Sequence, residues 1–108
     1  MCTAPVNGCL DTDYVDDTSM ANVTINFGGG LGLSYSPKCV KVSAGTHVTF
    51  SGDFLVHPLG PMCGPSSALT ATSTGTSATF TLSPAGDYGY QCLTHGPTYN
   101  MVGAIRVQ

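Results

Sequence analysis

Between two strand-like runs, Tyr88 to Cys92 and Val102 to Val107, the chain places a thiol, an imidazole and a thioether within ten residues: Cys92, His95 and Met101. Cys92 and His95 are three apart, so a tight loop can turn both side chains toward one point. Met101 stands six residues beyond His95, at the start of the last run. The rest of the chain has to hold such donors in one geometry. A second imidazole has to come from elsewhere. His57, in Gly52-Asp53-Phe54-Leu55-Val56-His57-Pro58, is the obvious supplier.

The rest of the chain supplies strands. Val23, Ile25 and Phe27 alternate with Thr24 and Asn26, the period-two pattern of a strand buried on one face. Gly28-Gly29-Gly30 then breaks the run. No Lys-Ser/Thr follows and no helix begins there, so this is a bend and not a phosphate loop. Leu31, Leu33 and Tyr35 start a second alternating run, which Ser36-Pro37 interrupts and Val40 and Val42 resume. Thr46 to Phe50 gives a further strand with Val48 and Phe50 inward, which turns His47 outward as a surface histidine. Residues 51–67 read as loop, rich in Gly and Pro. Ala78, Phe80 and Leu82 alternate with Thr79 and Thr81, and Val102 to Val107 closes the chain. About seven short strands between turn signals, with no amphipathic helix, predict an all-β chain folded as a Greek-key antiparallel β-sandwich. The absence of Trp and Glu and the abundance of Gly, Ser, Thr and Val agree with that class.

A chain of 108 residues suffices for one core. Residues 1–20 read as an irregular acidic arm, carrying Asp11, Asp13, Asp16 and Asp17, and residues 21–108 as the domain proper. The net charge of -3 argues against nucleic acid or an anionic membrane as partner. No apolar run approaches the ~20 residues of a membrane span. Five cysteines in so short a chain point to an oxidising compartment, hence an exported protein of the periplasm or outer surface. Cys2 is alternatively the lipidated first residue of a lipoprotein.

As to the donors, a structural reading makes Cys92 a disulfide partner and His95 a loop histidine. The odd number of cysteines opposes it, because Cys92 is the one with an imidazole beside it. Zinc would take the Cys-His pair but normally wants a further thiolate or histidine, and a thioether suits it poorly. Thiolate, two imidazoles and a weak axial thioether are the ligand types of a copper site. Met62 is a fallback axial donor, placed less well in its Pro-rich loop.

The chain resembles the cupredoxins, small blue-copper proteins. The residues that carry the resemblance are Tyr35-Ser36-Pro37 before Val40-Lys41-Val42, then Ala44-Gly45-Thr46-His47-Val48-Thr49-Phe50, His57-Pro58, and Gly86-Asp87-Tyr88-Gly89-Tyr90-Gln91-Cys92 with Leu93-Thr94-His95 and Met101-Val102-Gly103. It implies one type 1 copper ion, with His57, Cys92 and His95 as equatorial ligands and Met101 axial. It also implies a one-electron carrier, not an enzyme, that meets a cytochrome or copper oxidase near His95. The surface expected there is an uncharged ring of Leu59, Gly60, Pro61, Gly96 and Pro97, on a monomer. The alternative function is copper storage or delivery, which favours several exposed Met or His; here only Met20 and Met62 are spare. Three positions depart from the family pattern. The gap from His95 to Met101 is long, Pro58 stands where many members carry an Asn that braces the cysteine, and Leu93-Thr94 replaces a common Pro. Thr94 offers a hydroxyl for a bond within the loop. The remaining cysteines are expected to pair as Cys39–Cys63 and Cys2–Cys9, although four cysteines allow three pairings.

Overall fold

The structure, a computed structural model, describes residues 2–108. Its nine strands are β1 (Val15–Asp16), β2 (Asn22–Phe27), β3 (Tyr35–Ser36), β4 (Cys39–Val42), β5 (Thr46–Ser51), β6 (Leu59–Cys63), β7 (Ser77–Leu82), β8 (Gly86–Cys92) and β9 (Val102–Val107). They form two sheets, one in the order β1-β4-β9-β8-β6 and the other β3-β2-β5-β7. The alternation read from the sequence is the reason they face each other. In β2, Val23, Ile25 and Phe27 are buried while Asn22, Thr24 and Asn26 are exposed. In β5, Thr46, Val48 and Phe50 are buried, and in β8 Tyr88, Tyr90 and Cys92 are. These inward sets meet in one core with Val40, Val42, Leu59, Leu82, Met101 and Ile105. Burying each large side chain contributes about 1.5–3 kcal/mol. Among the described residues, no helix is long and apolar enough to cross a membrane.

Several details differ from the expectation. The sheets are mixed, not purely antiparallel: β1–β4, β4–β9 and β2–β5 run parallel. Parallel pairing follows because each partner is reached through a long connection and not a hairpin. Seven strands have four or more residues; β1 and β3 are two-residue additions at sheet edges. Leu31 and Leu33 are exposed and lie in and after a single 3₁₀ turn, Gly29–Leu31, so before Pro37 only Tyr35–Ser36 of that run is strand, and β4 takes up the rest. Conversely, β6 falls in the segment read as loop. It carries Gly60 and Pro61, and a proline is tolerated there because β6 lies at a sheet edge.

The N-terminal segment is fastened to the body. Val15 and Asp16 pair with Val40 and Lys41. Arg106 grips Asp87 through Nε at 2.8 Å and reaches Asp11 at 3.0 Å, with its guanidinium 4.2 Å from the Tyr14 ring. The disulfides are Cys2–Cys63 and Cys9–Cys39, not Cys39–Cys63 and Cys2–Cys9. The local pairing fails because Val6 to Cys9 forms its own tight turn, with Cys9 N–H donating to Val6 at 2.9 Å. That turn packs Cys9 against Cys39 and Ala104 in a small second core. With its sulfur bonded to Cys63, Cys2 has none left for a lipid thioether, which corrects the lipoprotein expectation.

Candidate metal centre

The site is assembled by two strand pairings. β8 and β9 pair antiparallel up to Gln91 and Val102. The next positions out are Cys92 and Met101, joined by a Cys92 N–H to Met101 carbonyl bond of 2.9 Å. Residues opposite each other in an antiparallel pair present their side chains to the same face. Both Cys92 and Met101 are fully buried. β6 then pairs with β8 so that Leu59 lies opposite Cys92, which brings His57, two residues before Leu59, to the same end.

The loop between Phe50 and Leu59 owes its shape to local bonds. The Asp53 carboxylate accepts from Leu55 N–H at 3.0 Å, and the Asp53 carbonyl accepts from His57 N–H at 3.0 Å. Fully buried Phe54 anchors it in the core. The His57 ring is buried, edge-on to Phe27 with centroids 6.2 Å apart. Its other side lies over Gly28, where a Cβ would come within 2.9 Å of Cδ2. The triple glycine thus does more than bend the chain: Gly28, at φ 71, leaves the space the imidazole occupies. The glycine run was the available signal, and it could not say which side chain it makes room for.

Three donor atoms converge. His57 Nδ1 lies 3.1 Å from His95 Nδ1, Cys92 Sγ lies 3.8 Å from His57 Nδ1, and Cys92 Sγ lies 3.5 Å from His95 Nδ1. The point equidistant from these three atoms is about 2.0 Å from each, close to the length of a metal–nitrogen bond and slightly under a metal–sulfur bond. Cys92 is the one free cysteine among the described residues. Burial, and then the neighbouring His95, hold the His57 imidazolium below its ordinary pKa, with Asp53 opposing; this favours the neutral, ligating form. Burial, and secondarily the nearby Cys92 thiol, push the Tyr35 phenol up.

The other expected residues fall as follows. Met62 is about half exposed on β6, whereas Met101 is in the core beside Cys92. His47 is on the outer face of the other sheet, its Nδ1 2.9 Å from Thr81 Oγ1. The long step from His95 to Met101 is taken up by a single helical turn, α1 (Gly96–Tyr99), closed by Asn100 in the left-handed conformation. Tyr99 N–H donates to the His95 carbonyl at 2.8 Å and Met101 N–H to the same carbonyl at 3.4 Å. Pro58, which has no N–H to give, accepts from Leu93 N–H at 2.7 Å and so ties the two ligand loops together. Thr94 is exposed.

The residues expected to ring His95 are placed differently from the expectation, and exposed Asp53 stands on the same loop as His57. Leu59, Gly60 and Gly96 are buried, because Leu59 faces the core, Gly60 lies under Leu93, and Gly96 lies against Gln91. Exposed Leu55, Val56, Leu93 and Tyr99 stand on the two loops instead, with Pro61 and Pro97. The Tyr99 ring is 5.9 Å from that of half-buried His95.

No protein-family model and no curated protein matches the sequence. Solved structures do match in shape. A pseudoazurin from Sinorhizobium superposes with a TM-score of 0.61 at 26% identity, over 82% of this chain and 75% of that one. Plastocyanin from the fern Dryopteris crassirhizoma does so with a TM-score of 0.62 at 24% identity, over 79% of this chain and 99% of that one. A copper-containing nitrite reductase from Thermus scotoductus gives 0.59 at 27% identity, over 81% of this chain but only 22% of the reductase.

Proposed function

We propose that this chain, whose fold is that of the cupredoxins, is a one-electron carrier built around a single type 1 copper ion. The observation that carries the reading is the triangle of His57 Nδ1, His95 Nδ1 and Cys92 Sγ, whose sides suit one ion at bonding distance from all three. His57, Cys92 and His95 would hold the ion, and Met101, buried beside Cys92, would offer a weaker sulfur donor. Bound copper supplies the couple between Cu(I) and Cu(II). The protein's part is to keep its donors still. Cys92 and Met101 are fixed by β8 and β9, His57 by Gly28 and Phe27, and the two ligand loops by the Pro58–Leu93 bond. A cage held in this way changes little between oxidation states, which keeps the barrier to electron transfer low.

His95 is the ligand with partial access to solvent, and the apolar side chains about it suit brief contact with exported redox proteins such as a cytochrome or a copper oxidase. We read the molecule as a monomer of the periplasm or outer surface, in keeping with its two disulfides. A carrier fits better than a delivery protein, because three of the four donors are buried and they lie on braced loops. It also fits better than an enzyme with further copper sites, since the remaining histidine, His47, is engaged with Thr81 on the outer sheet face. Adding Cu(II) to the protein should produce an intense visible thiolate charge-transfer band that Cys92→Ser abolishes. A copper-loaded protein without that band would sink the type 1 reading.

A further inference from the structure

We propose that Asn22 is the acceptor of an N-linked glycan, and that this glycan covers the outer face of the β3-β2-β5-β7 sheet. The proposal rests on the outer-surface form of the export reading, not on the periplasmic one, and not on the metal. Asn22-Val23-Thr24 is an Asn-x-Thr tripeptide with no proline at x, and it is the one such tripeptide among the chain's four asparagines. On β2 both Asn22 and Thr24 are exposed, two positions apart on the outer face, while Val23 between them is in the core. The two disulfides agree with maturation in an oxidising compartment.

The surface around Asn22 gives the proposal its physical content. Strand register places Asn22, His47 and Thr81 in one row, Thr24, Thr49 and Thr79 in the next, and Asn26, Ser51 and Ser77 in the third. His47 is bonded to Thr81 at 2.9 Å and Thr49 to Thr79 at 2.8 Å. Nine uncharged donor and acceptor groups thus make a hydroxyl- and amide-rich face, the chemistry that meets sugar hydroxyls. The face ends at β7, an edge strand with nothing paired on its outer side. Such edges are usually guarded by lysine, proline or a bulge. β7 has neither lysine nor proline, and no Asp, Glu, Lys or Arg occurs from Phe54 to Gly86. A glycan on Asn22 supplies the missing guard, since β7 lies two strand spacings away, roughly 10 Å, within reach of its first sugars. It also leaves the metal end free: β2 runs from Asn22 to Phe27, and only Phe27 touches the His57 side.

The modification joins the Asn22 amide nitrogen to C1 of an oligosaccharide carried on a polyprenyl diphosphate. The C1–oxygen bond breaks, the diphosphate leaves as an anion, and the amide gives up one proton. The test is secretion of the whole chain from a eukaryotic host, followed by intact-mass and peptide analysis before and after peptide N-glycosidase. The expected result is a hexose and N-acetylhexosamine increment on the peptide holding Asn22, lost in Asn22→Gln and Thr24→Ala and kept in Thr24→Ser. An unmodified secreted wild type overturns the proposal, and that measurement decides even where a variant is not secreted. Sedimentation tests the covering role: the enzymatically deglycosylated protein should self-associate at concentrations where the glycosylated one does not. Identical behaviour of the two would overturn that part.

Discussion

At the scale of single residues, the site depends on small groups that make room and on large ones that do not move. Gly28 is the sharpest case. Its φ of 71 with ψ of -164 is a backbone region kept almost entirely to glycine, and a Cβ there would press on the His57 ring. Gly28→Ala should therefore lower stability by about 1–3 kcal/mol from the backbone alone and weaken metal binding, read by denaturant titration with and without Cu(II). An unchanged affinity would show that the ring can shift freely. The two methionines separate axial ligand from bystander. Met101→Gln should change the visible spectrum and lower the reduction potential, whereas Met62→Gln, at a half-exposed position on an edge strand, should leave both as they were. Equal effects would contradict the assignment of Met101. Cys92, His95 and Met101 could be singled out from spacing and side-chain chemistry, because Cys, His and Met have few other reasons to cluster on one loop; His57 came from a separate loop, and the structure brings it to Cys92 and His95. Gly28 could not, since its role is defined by a ring 29 positions away in sequence.

At the scale of elements, the hydrophobic alternation in β2, β5, β7 and β8 was legible because each strand buries one face and wets the other. β6 was not, because Gly60 and Pro61 carry no alternation and an edge strand tolerates them. The parallel pairings and the disulfide partners were also hidden. They are set by which distant segments the core brings together, such as Cys9 against Cys39 beside Ala104. The length of the His95–Met101 step was visible; its consequence, the turn α1, was not. That turn makes Asn100 the element's critical joint, with φ 57 and its N–H donating to the Gly96 carbonyl at 3.1 Å. Asn100→Gly should be tolerated. Asn100→Val should cost about 1–2 kcal/mol from the left-handed backbone and move the visible band of the copper protein, since it displaces Met101. A Val variant with the wild-type spectrum would show that the turn and the axial position are uncoupled.

At the scale of the whole molecule, two long-range staples and one ion cluster bind the N-terminal segment to the sandwich. The disulfides close loops with sequence separations of 61 and 30 residues. In the chain-entropy model each contributes about 4 kcal/mol. Replacing Cys9 and Cys39 together by Ser should lower the unfolding free energy by an amount of that order in urea titration, while leaving the Cys92 site able to take copper. Loss of copper binding in that variant would mean that the N-terminal segment shapes the metal end as well as the far one.

Under the proposed function, a rigid four-donor cage exchanges electrons while keeping its ion. Repeated reduction and reoxidation of the copper-loaded protein, followed by visible and paramagnetic resonance spectra with a competing Cu(I) chelator present, tests this most directly. The cage described here predicts that the thiolate band bleaches and returns to full intensity through many cycles. Transfer of the ion to the chelator on the first reduction would contradict it.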